Sequence, residues 1–340
     1  MNKILTAMSG GVDSAVAAAR LLSQGMEVSG ATMLLCEAGA DEAEAAARSA
    51  RALGMEFYTF DFRREFAALV QQPFIDIYCA GRTPNPCVIC NKQVKFGLFL
   101  ERALALGFDG VATGHYARVE FDEASGRYLV KCAADTAKDQ TYMLWSLSQK
   151  QLSHIVLPMG DITKQQARAQ AAALRLPVAG KHDSQDICFI PDGDYLKFLL
   201  AHGVTPTPGR FVDAAGKDYG PHRGQEAYTI GQRRGLEIAY GSRIYVTGKQ
   251  GGNVVIGPNE ALFSTRVAIE NVNWIPFDTP GGELRAEAKL RYTPKTAKCT
   301  VRPTEFGAEL IFDEPQRAAT PGQSAVLYDG DTLLGGGIIR

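Results

Sequence analysis

Met8-Ser9-Gly10-Gly11-Val12-Asp13-Ser14 is the stretch whose reading decides the fold. It follows the apolar run Ile4-Leu5-Thr6-Ala7 and opens into Ala15-Val16-Ala17-Ala18-Ala19-Arg20-Leu21-Leu22. That order reads as buried strand, tight glycine turn, helix. The first N–H groups of a helix point outward without intrahelical partners, and the helix dipole favours negative charge there. Ala7 and Met8 lead into the turn, where Gly10 and Gly11 let backbone approach an anion that side chains would keep away. Ser9 and Ser14 add hydroxyl donors, and Asp13 is suited to cap the helix or to help hold a magnesium ion. The Gly-Lys-Ser/Thr ending of a Walker A loop is missing. A Gly-Gly pair alone would fit an ordinary turn; two serines, an aspartate and the strand–helix setting point to an anion site.

Outward from this loop, strands and helices alternate. Glu27–Leu34 and Met55–Asp61 read as strands, with an alanine-rich helix over Asp41–Leu53 between them. Phe66, Leu69, Val70, Phe74 and Ile77 recur at helical spacing, and so do Phe96, Phe99, Leu100, Ala103 and Leu106. A short strand follows at Gly110-Val111-Ala112-Thr113. Helices between strands imply parallel pairing, hence an α/β, doubly wound sheet whose ligands sit at the carboxyl ends of strands. The glycine loop lies at one such end and Thr113-Gly114-His115 at another. Thr163-Lys164-Gln165-Gln166 is a capping box, and Ile187-Cys188-Phe189-Ile190 reads as a short strand. Beyond Pro206 and Pro208 glycines become frequent, and from Ser264 alternating strands with Gly and Pro turns suggest a small β-barrel. The expected division is 1–200, a connector over 201–262 and a barrel over 263–340.

The 340 residues suffice for two or three domains, and the net charge of −1 does not advertise a nucleic-acid binder. Charge is uneven, however: Arg285, Lys289, Arg291, Lys295, Lys298 and Arg302 crowd the late part, and a local basic surface binds phosphates in a neutral chain. No run approaches the ~20 apolar residues of a membrane helix. Met1-Asn2-Lys3-Ile4 does not read as a signal peptide, so a cytoplasmic protein with no membrane partner is expected. The seven cysteines are odd in number and irregularly spaced, which fits reduced thiols.

Thr83-Pro84-Asn85-Pro86-Cys87-Val88-Ile89-Cys90-Asn91 is the second signal. Cys90 falls just before a helix expected to start near Lys92, with Lys95 close by, and a cysteine there should be a reactive thiolate of lowered pKa. Cys188, within Ser184-Gln185-Asp186-Ile187-Cys188-Phe189, is the third. Cys87 and Cys90 could alternatively form half a zinc site or a redox pair, but no second C-x-x-C completes a four-cysteine site. Cys36, Cys79, Cys132 and Cys299 read as structural, and His154, His202 and His222 have no metal-type spacing.

These motifs, with Ala112–Arg118, Lys138-Asp139-Gln140 and Tyr228–Leu236 in the same order, resemble the tRNA-specific 2-thiouridylase (MnmA/TrmU) family of PP-loop ATPases over nearly the whole chain. The resemblance implies adenylation of the C2 oxygen of a wobble uridine by ATP, then attack by a persulfide sulfur supplied by a cysteine desulfurase or sulfur carrier. It implies Cys90 as nucleophile, Cys188 as persulfide carrier, and a transient disulfide between them after transfer. It places ATP on Ala7–Ser14, with Met33 against adenine and Gly114 near the nucleotide. It turns His115, Lys138, Asp139 and Gln140 towards tRNA, puts Asn85 and Pro86 beside the target base, and makes Arg291, Tyr292 and Gln323 the barrel's contribution. A third thiol at Cys87 raises an alternative, a three-cysteine iron–sulfur cluster on Cys87, Cys90 and Cys188 with one open position. Two further readings compete. An amide-forming PP-loop ligase would need neither Cys90 nor Cys188, and an RNA-binding module with a degenerate loop would not need the intact Ser9–Ser14 run.

Overall fold

The computed structural model describes residues 1–181, 187–238 and 241–340. Ser184, Gln185 and Asp186 of the third motif lie outside the described residues. The first unit is a parallel sheet of β1 (Lys3–Ala7), β2 (Glu27–Leu34), β3 (Phe57–Asp61), β4 (Gly110–Ala112) and the Ile155–Val156 strand, in the order β3-β2-β1-β4 and then Ile155–Val156. Leu5 lies opposite Ser29 on one side and Val111 on the other. The order reverses on either side of β1, so the glycine loop that follows β1 sits at the switch point where open α/β sheets bind ligands. Alternate strand residues face opposite ways, and the core divides accordingly. Ile4 and Val28 pack with the helices Val12–Ser23 (α1), Ala40–Ala52 (α2) and Lys164–Ala173. Leu5, Ala31 and Val111 pack with Phe66, Phe74, Val94, Phe96 and Phe99 on the other face.

The helices on that second face are not uniform. Arg63–Phe66 runs through a π-helical turn, Ala67–Gln71, into Gln72–Cys79. Pro86–Cys90 runs through a longer π-helical stretch, Asn91–Leu98, into Phe99–Ala105. The second helix therefore begins at Pro86, not near Lys92. Proline lacks only an N–H that the first turn leaves unpaired anyway, so Pro86 starts the helix without cost. The strand expected at Ile187–Ile190 is instead a tight turn, closed by the Ile190 N–H donating to the Ile187 carbonyl at 2.8 Å.

A four-stranded sheet follows: Tyr245–Gln250, Asn253–Gly257, Gly209–Val212 and Asp218–His222 as spatial neighbours. The last strands close into a barrel, because Phe263–Trp274 pairs with both Gly307–Arg317 and Thr332–Ile339. Closure leaves no open edge among those strands. A hairpin of the first unit, Arg118–Asp122 with Arg127–Lys131, joins the same sheet through Lys131 opposite Thr332. The barrel is thereby attached to the first unit through that hairpin. Among the described residues no helix is long and apolar enough to cross a membrane.

Candidate active site

The anion loop is built by close backbone approach. Gly10 has φ +69°, and a Cβ there would lie 2.3 Å from the Glu42 carbonyl oxygen of α2. No L side chain fits that position on either count. Ser14 Oγ accepts from the Ser9 N–H at 3.1 Å and donates to the Gly11 carbonyl at 3.2 Å, tying the turn to the helix it opens. Gly11, in extended conformation, precedes the first helical residue, Val12. Asp13 is not the cap. It lies in the first turn, where Lys164 Nζ donates to its two oxygens at 2.7 and 2.8 Å and the Tyr116 hydroxyl donates at 2.8 Å. Sequence reading missed Tyr116 and Lys164. Tyr116 stood beside His115 in a quoted motif, whereas Lys164 had no signal beyond its place after a capping threonine. Met33, near the end of β2, is half-buried opposite Phe60.

Gly114 connects this loop to the rest of the site. A Cβ on it would meet the Ser14 nitrogen and the Asp13 carbonyl carbon, both at 2.8 Å. Its neighbour His115 is 8 % exposed, shares a hydrogen bond of 2.7 Å between Nδ1 and Thr113 Oγ1, and lies 5.8 Å from the Phe96 ring. Burial, with a lesser push from Lys95, holds its imidazole well below the usual histidine range. His115 is thus a buried neutral group held between Thr113 and Phe96.

The thiols share the field of Lys95 with His115. Cys90 is 7 % exposed, and burial pushes its pKa up while Lys95 pulls it down. This overturns the lowered pKa expected from a helix N-terminus. Cys90 sits inside the helix rather than ahead of it, and loss of hydration outweighs the neighbouring charge. Cys87 and Cys188 reach the surface yet lie in a dense surround of protein, and lost hydration raises both, Cys188 to about 12. Cys90, Cys87 and Cys36 lie near enough to Cys188 for their charges to raise it further. Cys36, expected to be structural, therefore belongs to the neighbourhood of the site. Cys132, pushed to about 11, and Cys299, pushed to about 12 in the barrel core, do not.

The loop carrying Asn85 is clasped by the barrel. Gln323 Nε2 donates to the Thr83 and Pro84 carbonyls at 3.3 and 2.9 Å. The Thr83 N–H donates to the Pro321 carbonyl at 2.8 Å, and Arg82 donates to Glu270 and to the Ile339 carbonyl, both at 2.9 Å. Behind Asn85 the Tyr142 hydroxyl donates to the Ser324 carbonyl at 2.9 Å, and Pro86 is buried. Gln323 is thus a support of the loop rather than an open surface group.

The structure also joins Lys138-Asp139-Gln140 to the barrel. The Tyr292 hydroxyl donates to the Asp139 carbonyl at 3.1 Å, beside an exposed Arg291. Asp139 itself is 6 % exposed and accepts from the Ala133 N–H, with Lys289 Nζ at 3.7 Å, so its carboxylate faces inward. Lys289 lies 4.9 Å over the Tyr328 ring and is no part of a surface patch. Gln140 accepts from the Tyr116 N–H at 2.9 Å, and Lys138 is half-buried. A cavity of about 620 Å³ opens beside Asp139, Lys289, Tyr328 and Arg118.

Among the described residues no three His, Cys, Asp or Glu side chains converge as a metal site. For magnesium, Asp13 offers one carboxylate, already held by Lys164. A magnesium ion usually takes one or two carboxylates plus substrate phosphates, so Asp13 is a fitting but incomplete ligand.

A doubly wound parallel sheet with an anion loop at the switch point of β1 defines a PP-loop-type nucleotide-binding unit. Residues 2–192 match the tRNA methyl transferase HUP domain, 197–257 the tRNA methyl transferase PRC-barrel domain and 264–339 the aminomethyltransferase β-barrel domain. The chain is 46 % identical to tRNA-specific 2-thiouridylase MnmA of Acetivibrio thermocellus, with 99 % of each chain covered. It is 45 % identical to that of Clostridioides difficile, over 99 % of this chain and 98 % of the other. The chain belongs to the MnmA family of tRNA-specific 2-thiouridylases. A solved NMN synthetase from Francisella tularensis aligns with 54 % of this chain and 66 % of its own at 16 % identity and TM-score 0.36.

Proposed function

We propose that this protein is a cytoplasmic, ATP-dependent tRNA sulfurtransferase that converts a wobble uridine to 2-thiouridine. The observation that carries the reading is the contiguity of two chemistries: Gly114 packs on the Ser14 nitrogen, and His115 beside it shares the field of Lys95 with Cys87, Cys90 and Cys188. An amide-forming ligase would have no use for that second half. The tRNA relatives' names support the substrate class.

ATP would lie on Ala7–Ser14, with Met33 and Gly114 beside it, and magnesium would add charge neutralisation on the phosphates next to Asp13. The uridine oxygen attacks the α-phosphorus and pyrophosphate leaves. The terminal sulfur of a Cys188 persulfide attacks C2, and AMP departs with the oxygen. The Cys90 thiolate then attacks the Cys188 sulfur. The persulfide bond breaks, its outer sulfur stays on C2, and a Cys90–Cys188 disulfide forms that a thiol reductant reopens. The target base must be splayed from its stack to reach this point, and Asn85 and Pro86 would line its pocket. Arg291 and Tyr292, set against Lys138–Gln140, are suited to holding phosphate and stacking a base. A cysteine desulfurase or a sulfur carrier would load Cys188.

The test uses metal-free protein with unmodified tRNA, ATP, magnesium and a persulfide donor. Cys90→Ser and Cys188→Ser should each abolish 2-thiouridine while tRNA-dependent pyrophosphate release continues; Cys87→Ser should stay active. Pyrophosphate release that ignores tRNA in the wild type would sink the reading.

A further inference from the structure

We infer that Lys95 is a positioning residue for sulfur transfer, its ammonium serving as the counter-charge of the sulfur anion on Cys90 and Cys188. The inference rests on the sulfurtransferase reading and extends Lys95, read in the sequence as a charge near Cys90, to both sulfur steps.

Helix geometry comes first. In an α-helix, residues five apart point about 140° away from each other. The stretch Asn91–Leu98 is π-helical, and its i to i+5 repeat brings Lys95 round to the side of Cys90. The widening is held from outside. Gln151 Nε2 donates to the Lys92 carbonyl at 2.9 Å and to the Phe96 carbonyl at 2.8 Å. Gly97 gives the widened turn room, since a Cβ there would stand 3.0 Å from the Lys92 carbonyl oxygen. A π stretch fixed by a dedicated side chain is a device for aiming a residue, and such stretches gather at functional sites.

Lys95 also lacks any competing use. It is half-buried, and among the described residues its ammonium has no hydrogen bond or ion pair. The charge of Lys95 acts on Cys87, Cys90 and Cys188, and it is the one cation whose charge is felt at all three. His115, under the same Lys95 field, is held well below the usual histidine range. Both sulfur steps start from an anion, first the persulfide and then the Cys90 thiolate, in surroundings whose burial opposes negative charge. A fixed ammonium offsets that penalty without entering the bond changes.

The experiment compares wild type, Lys95→Met and Lys95→Arg. It reads iodoacetamide labelling of the Cys90 and Cys188 peptides from pH 6 to 10, 2-thiouridine formation, and tRNA-dependent pyrophosphate release. Lys95→Met should slow labelling of both thiols about tenfold at neutral pH, which corresponds to about one pH unit. It should cut 2-thiouridine by a similar factor and leave pyrophosphate release within about twofold. Lys95→Arg should restore labelling and thiolation. Unchanged labelling in Lys95→Met, or an equal loss of pyrophosphate release, would overturn the inference and assign Lys95 to folding or to the nucleotide. If Lys95→Met does not fold, Lys95→Gln carries the same comparison. If the wild type makes no 2-thiouridine, the sulfurtransferase reading fails separately, and labelling still decides whether Lys95 governs the thiols.

Discussion

The anion loop and the thiol site adjoin at Gly114–His115, yet they are made in opposite ways. The loop is local. Seven consecutive residues, Met8–Ser14, supply the strand end, the turn and the helix start, and backbone does most of the work. The thiol site is assembled. Cys90 comes from one helix, Cys188 from a turn about a hundred residues later, and Gln323 from the barrel. A site made of backbone tolerates almost no added atom at its tightest point. A site made of side chains on separate elements depends on burial and on distant support, and its changes should be graded.

The largest effect should come from the loop. Gly10→Ala places a Cβ 2.3 Å from the Glu42 carbonyl oxygen at φ +69°. The left-handed conformation alone costs a non-glycine residue about 1–2 kcal/mol, and the clash with backbone cannot be relieved by a rotamer change. tRNA-dependent pyrophosphate release should fall by at least about 100-fold, equivalent to about 2.7 kcal/mol. Gly11→Ala is the partner experiment. Its φ is −103° and its nearest obstacle is Ser9 Oγ at 3.5 Å, so it should lose far less. Equal losses at the two glycines would break the contrast.

This difference in construction explains what was legible. The parallel sheet, the Thr163 capping box and the barrel all rest on local periodicity and turn chemistry, and the structure has them. The environment of Cys90 was not legible. Nearby lysines and a helix start are visible in sequence, but the burial of Cys90 in a core shared with Leu5, Ala31 and Val111 of the sheet is tertiary. The inward turn of His115 and Asp139 was hidden for the same reason, since a polar residue in a motif looks identical whether it faces solvent or Thr113. The partners of Asp13 were hidden too: Lys164 is 151 residues away in the chain.

The intermediate effect is a pH dependence confined to the thiol side. Burial disfavours the charged form of an acid, so the thiolates of Cys90 and Cys188 are minor species at neutral pH and grow as pH rises. Alkylation of either cysteine should therefore increase about tenfold per pH unit from 7 to 9 without levelling off. A helix-start thiolate of lowered pKa would instead plateau within that range. Nucleotide binding should stay flat over the same interval, because His115 is already neutral there. An alkylation plateau below pH 8 would mean that Lys95 and the helix outweigh burial.

The smallest effect tests the support from the barrel. Gln323→Leu keeps much of the side-chain volume and removes the hydrogen bonds to Thr83 and Pro84. Each such bond is worth about 0.5–1.5 kcal/mol net, but Thr83 keeps its own N–H bond to Pro321 and Arg82 keeps Glu270, so the loop should loosen rather than detach. 2-Thiouridine formation should fall about three- to tenfold, in proportion to the misplacement of Asn85 and Cys90 relative to the adenylated base. Pyrophosphate release should change less than about twofold, because the hydrogen bonds of Gln323 run to Thr83 and Pro84. If both readouts fall together, the clasp acts on the whole tRNA-bound state and the two halves of the site are not mechanically separate. If only thiolation falls, the barrel is a positioning element for the sulfur step, and the thiol site depends on distant parts of the chain in a way the anion loop does not.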